Sequence, residues 1–205
     1  RQSTSMMRWC SSEKDEEKIK VIAFTVLTIL IFFNIAFNLI FQPLSASFSR
    51  LLFDSESYQV YFRVLFVYVS FEILDIWVLD LIRIKGKPSL YVILTLIKFT
   101  TVLFFNIYFI KYQGLGVLGI ILSQLIGSVL LFLLSLFFAA KNLKARIMKT
   151  EIAPFFRYGF PLVFTTISMY LLSLGDRYLM KYMLDLGDVG VYSLGYKIAT
   201  VTNIL

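Results

Sequence analysis

The sequence predicts an all-α polytopic membrane protein, and three observations carry that prediction. Apolar runs long enough to cross a bilayer recur along the 205 residues, separated by short polar or basic segments. Hydrophobic residues make up 59% of the chain, more than a water-soluble domain of this size can hide. Basic residues crowd into alternate loops, as the positive-inside rule requires of a multi-pass protein.

The elements follow in order. Residues 1–20 form a polar entry loop, and the acidic run from Glu13 to Glu17 within it reads as solvated loop rather than a metal cluster. Residues 21–41, from Val21 to Phe41, carry no charge, and about 20 apolar residues span a bilayer as a helix. Pro43 ends this span. Leu44 to Ser57 is a short interfacial segment, with Phe48, Leu51, Leu52 and Phe53 available to lie on the membrane surface. The second span, 58–84, holds Glu72, Asp75 and Asp80 inside an apolar stretch. The turn Lys85-Gly86-Lys87-Pro88 leads into the third span, 89–112, which contains Lys98 and Asn106. A second glycine turn, Gly114 to Gly116, precedes the fourth span, 117–140. There Gly119, Ser123 and Gly127 recur every four residues; such a ladder lets another helix approach closely, or is ordinary membrane-helix glycine. A basic linker, 141–153, leads to a fifth span, 154–184, and a sixth, 189–205, cut short by the chain end. The expectation is five full transmembrane helices plus one truncated. A first residue other than Met and an apolar last segment suggest an internal piece of a longer protein.

Charge sets the orientation. Thirteen of the 20 Lys and Arg residues fall in the entry loop, the turn region from Arg83 to Pro88 and the 141–157 region, three in the opposite loops and four within helices. The entry loop and residues 141–153 are therefore expected in the cytoplasm. The net charge of +7 is explained by these loops, and no nucleic-acid partner is implied. The chain has no His and a single Cys, Cys10. An internal disulfide, a His/Cys metal site and a histidine base are thereby excluded. No cofactor is expected.

Charges inside membrane spans are costly, and each marks a functional site by default. In the fifth span, Thr166, Tyr170, Ser173, Arg177 and Lys181 fall within about 40° either side of one line at 100° per residue. In the second span, Glu72, Asp75, Asp80 and Arg83 share about 140° of arc. Three acids on one face form either a cation or proton site or structural pairs with basic neighbours. Asp80 reads as paired with Arg83, three residues on. A hairpin centred near Gly86 puts Lys98 level with Asp75 and Glu72, and Lys98 is expected to pair with one of them, Asp75 first.

Three further stretches carry a resemblance: YGFPL (Tyr158 to Leu162), GDRYLMKYML (Gly175 to Leu184) and GVYSLGYKIA (Gly190 to Ala199). With the basic turn in RIKGKPSLYVILTLIKF, they resemble the bacterial polysaccharide flippases of the MOP superfamily, relatives of the lipid II flippase and the MATE drug exporters. The resemblance implies a MATE-like bundle of two lobes. Residues 1–140 then look like part of the first lobe, 141–153 like the cytoplasmic interlobe linker and 154–205 like the start of the second, about half the family length. It also implies a non-enzymatic transporter in the bacterial inner membrane. Its substrate would be a polyprenyl-pyrophosphate-linked oligosaccharide, its partners membrane lipids and the polymerase and glycosyltransferases of the same pathway. Arg177 would take the pyrophosphate, with Lys181 adding charge. Tyr170, Ser173, Tyr196 and Lys197 would line the polar path, with Tyr192, Thr200 and Asn203 extending the polar side of the last span. The rival readings are that Arg177 pairs with Asp176 or snorkels to the interface, that Lys181 pairs with Asp185, and that Tyr192 anchors at the interface. Two other function classes stay open: a MATE-like cation-coupled drug antiporter centred on Glu72 and Asp75, and part of a membrane-embedded glycosyl- or acyltransferase.

Overall fold

In the computed structural model, the described residues are 15–147, then 157, 164–172, 175–176, 179–180, 183 and 186–202. Their regular structure is helical, with no strand among them. The chain divides into two compact units, Gln2–Ala153 and Pro154–Leu205, the latter with Arg1.

The first unit holds α1 (Glu16–Phe41), α2 (Ser45–Phe53), a 3₁₀ turn (Glu56–Tyr58), α3 (Gln59–Ile84), α4 (Pro88–Ile107) with a π-helical turn at its end (Tyr108–Tyr112), and α5 (Gly116–Lys141). Three stretches are long and apolar enough to cross a membrane: Glu16–Phe41, Pro88–Tyr112 and Gly116–Lys141. The 26 residues of α3 span about 39 Å at 1.5 Å per residue. They include Arg63, Glu72, Asp75, Asp80 and Arg83, charges that neighbouring helices must satisfy. In the second unit, residues 164–172 are helical and α6 runs Leu186–Thr202.

The first helix starts five residues before the apolar run, so the entry segment is not wholly a loop. Asp15 caps it by accepting the Glu17 backbone N–H at 2.9 Å, and Glu16 and Glu17 sit where the helix dipole favours acids. Hydropathy marks where the membrane begins; the cap marks where the helix begins. The interfacial segment is likewise mostly helical, and Asp54 closes α2 with a left-handed φ of 54°.

The α3–α4 turn follows from two residues. Gly86 takes φ +63°, a conformation that costs glycine nothing. Its N–H donates to Arg83 O at 3.0 Å and that of Lys87 to Ile82 O at 3.2 Å, which satisfies the last carbonyls of α3. Pro88 then opens α4 at a first-turn position, where its missing N–H is no loss.

Helix α5 packs against both α3 and α4, and α1 and α2 pack against α3. The buried residues of α5 are Gly119, Ser123, Gly127, Ser128, Leu131, Ser135 and Ala139. Without a hydrophobic drive between helices in lipid, close backbone approach supplies the packing energy, and small residues permit it. A Cβ on Gly119 would stand 2.8 Å from Phe109 Cβ, and one on Gly127 would collide with Val102. Between them, Ser123 donates to the Asn106 side-chain oxygen at 2.6 Å. All three rungs of the ladder therefore meet α4 or its π-helical end. Toward the end of α3, Trp77, Val78, Leu81 and Ile82 are buried.

One end of this unit gathers the basic segments. Lys85 lies 3.6 Å from Glu16 and Lys144 lies 2.6 Å from Glu17. The Lys144 backbone N–H also reaches Lys20 O at 3.5 Å. The start of α1, the α3–α4 turn and the segment after α5 thus share one end. At the other end, a run of rings (Phe37, Phe41, Phe48, Phe62 and Phe66) links α1, α2 and α3.

Candidate functional site

The densest polar cluster among the described residues lies where α3, α4 and α5 meet. Glu72 and Asp75 are one turn apart on α3, and Lys98 on α4 reaches both. Its Nζ donates to Glu72 Oε2 at 2.6 Å and to Asp75 Oδ2 at 3.0 Å. The shorter contact goes to Glu72, whereas equal depth in the hairpin favours Asp75. Two carboxylates one turn apart draw the ammonium between them, and charge-assisted bonds of this length are strong.

Glycine on α5 makes the geometry possible. A Cβ on Gly127 would lie 3.5 Å from Lys98 Cγ and 3.5 Å from Lys98 O, so the bare backbone leaves room for the lysine stem. The next residue, Ser128, donates to Glu72 Oε2 at 3.0 Å. Three helices thus contribute to one node. Asp75 is 1% exposed, and its Oδ1 is buried with no hydrogen-bond partner. Further along α3, Asp80 Oδ1 lies 3.6 Å from Arg83 Nη1. Arg83 also donates to the Tyr91 hydroxyl and sits 4.3 Å from the centre of its ring.

A second polar seam runs between α1 and α3. Asn34 and Asn38 on α1 and Gln42 at its C-cap recur every four residues. The Asn38 amide donates to Ser70 Oγ at 2.7 Å and to Asn34 O at 2.9 Å. Gln42 donates to Arg63 O at 3.0 Å. Neither this seam nor Ser128 stands out in the sequence. The only signal was the spacing of four amides and hydroxyls in spans otherwise read for charge.

In the second unit, Tyr170 is 63% exposed and Tyr196, on α6, 41%. Tyr192 donates to Asp176 Oδ2 at 3.4 Å, so Asp176 has a contact on α6 as well as its neighbour Arg177 in sequence. Ser173, Arg177, Lys181, Asp185 and the Lys197 side chain lie outside the described residues, as do Asn203 and the Thr200 side chain. Among the described residues no group of three His, Cys, Asp or Glu side chains can hold a metal ion.

No curated protein and no solved structure matches the chain. The family model for polysaccharide biosynthesis proteins matches residues 3–205, almost the whole sequence, and this chain of apolar, membrane-length helices belongs to that family, a multi-pass membrane protein of polysaccharide biosynthesis.

Proposed function

We propose that this protein is a flippase that moves polyprenyl-pyrophosphate-linked oligosaccharide units across the bacterial inner membrane, for polysaccharide assembly and export. The observation that carries this reading is the family match across residues 3–205. The chemistry of the second unit supports it. The substrate has an anionic pyrophosphate, a polar glycan and an apolar tail. A helix with Arg177 and Lys181 on one face, and Thr166, Tyr170 and Ser173 deeper on the same face, suits such a head group while the tail stays in lipid. Arg177 presents a planar fork that matches phosphate oxygens two at a time, and Lys181 adds a point charge. Tyr196 and Lys197 line the same path from α6. The protein acts as a transporter rather than an enzyme, with the lipid-linked substrate and membrane lipids as its partners. Residues 1–140 belong to the first lobe, 141–153 to the cytoplasmic linker and 154–205 to the second lobe.

The test is a graded series in the full-length protein. Arg177→Lys impairs glycan export and Arg177→Ala abolishes it, with both variants reaching the membrane at normal level. Normal export by Arg177→Ala would move the phosphate site elsewhere. Orientation is checked separately after removal of Cys10: a cysteine at Ala145 stays shielded from impermeant thiol reagents in intact cells, and one at Ser57 reacts. The opposite labelling would invert the topology.

A further inference from the structure

The node between α3, α4 and α5 holds two carboxyl groups and one ammonium. With both acids ionised it carries one net negative charge within the membrane span. An uncompensated charge in such a place is far more costly than a neutral polar group left unpaired. The two acids are not equivalent. Glu72 Oε2 accepts from both Lys98 and Ser128, and its side chain is 35% exposed. Asp75 is 1% exposed, receives Lys98 through Oδ2 with the Ser128 hydroxyl close by, and leaves Oδ1 buried without a hydrogen-bond partner.

We infer that this node is a proton-binding site, holding one exchangeable proton on the Asp75 carboxyl beside the Glu72–Lys98 ion pair. The proton adds to Oδ1 and forms an O–H bond, so the node goes from one net negative charge to neutral. A metal cation suits the place poorly. Hard cations need a shell of several oxygens, whereas Asp75 offers one unpartnered oxygen and the Lys98 ammonium already occupies the space between the carboxyls. No other charge faces Asp75 closely enough to neutralise it. On α3 itself the neighbours are Tyr68, Glu72 and, more than a turn away, the Asp80–Arg83 pair. On α4 the group is Lys98, and α5 offers only the Ser128 hydroxyl. The charged residues of α1 stop at Lys20; those of α2 and the adjoining turn are Arg50 and Glu56, which pair with each other at 2.9 Å, and the exposed Asp54 at the α2 C-cap. The inference rests on this geometry and not on the flippase reading, and its test measures no transport.

The experiment is infrared spectroscopy of the full-length protein in lipid, with and without ¹³C-aspartate. At neutral pH the wild type shows a protonated-carboxyl band that shifts with the isotope. Asp75→Asn removes the band and melts within a few degrees of wild type, because the amide replaces a neutral acid of the same shape. Glu72→Gln also loses the band, because the Lys98 ammonium then has only the Asp75 carboxylate to neutralise it. The inference is overturned if no such band exists or if it survives in Asp75→Asn. Failure of Asp75→Asn to assemble also counts against it, since a neutral acid should tolerate the amide. So does a sodium-dependent rise in melting temperature that Asp75→Asn abolishes, which would make the occupant a metal ion.

Discussion

Helix α3 meets its neighbours through two polar seams that solve one problem differently. Toward α4 and α5 it presents Glu72 and Asp75, and the solution is ionic: Lys98 bridges both acids and Ser128 supports one of them. Toward α1 it presents Ser70 and a backbone carbonyl, and the solution is neutral: Asn38 and Gln42 donate across the seam. The ionic seam has no fallback at its centre, because removing Lys98 strands a charge that the bilayer cannot hydrate. The neutral seam has one, because Asn38 also bonds to the carbonyl four residues back on its own helix. The two seams therefore differ in how much each side chain is needed, although their bonds are similar in length.

The largest difference is expected at Lys98. Lys98→Met keeps much of the stem and removes the charge, leaving Glu72 and Asp75 facing each other. Breaking a buried pair this way costs about 3–5 kcal/mol. Adding Glu72→Gln and Asp75→Asn to the same protein recovers most of the loss, since a neutral node needs no counter-ion. Reversible unfolding of the full-length protein measures both steps. A Lys98→Met protein as stable as wild type would erase the distinction between the seams.

Gly127 sharpens the comparison, because it places the lysine. Gly127→Val puts branched carbons against Val102 and the Lys98 stem, and overpacking of this kind costs about 1–3 kcal/mol. Gly127→Ala is milder but of the same sign, since its Cβ already collides with Val102. The α4–α5 distance, read by spin labels on exposed residues such as Phe99 and Leu133, should increase in the valine variant. An unchanged distance and unchanged stability would mean that the ladder does not set the approach.

The ionic seam was legible in the sequence for a physical reason. Charges are rare in membrane spans, and a short turn with glycine and proline fixes which residues lie at equal depth, so Lys98 could be matched to two acids before any coordinates. The share of each acid was not legible, because a lysine stem spans several ångströms along the helix axis. Ser128 and the Asn34–Asn38–Gln42 seam were not legible either. Serine and asparagine can satisfy themselves within their own helix, as Ser135 does on Phe132 O at 2.9 Å, so their presence does not predict a partner. Element types were readable from apolar runs, whereas the start of α1 was set by the Asp15 cap, which hydropathy does not weigh. In the second unit, the stripe through Arg177 and Lys181 is a sequence pattern, and of its members Thr166 and Tyr170 are among the described residues.

The smallest effect is expected at Asn38, and it is the most discriminating. Asn38→Leu is nearly isosteric and deletes the bonds to Ser70 and to Asn34 O together. Hydrogen bonds between membrane helices average about 0.6 kcal/mol. The helical backbone of α1 is complete without the side chain, and Ser70 keeps its own bond to Phe66 O at 3.0 Å. The loss of stability should therefore stay near 1 kcal/mol or below. A double-mutant cycle with Ser70→Ala isolates the interhelical part, which should be no larger than the single losses. If Asn38→Leu instead costs as much as Lys98→Met, the amide seam has no fallback. Its buried Asn34 amide nitrogen, which has no partner, would then be the first place to seek the cause, through the same cycle run on Asn34→Leu.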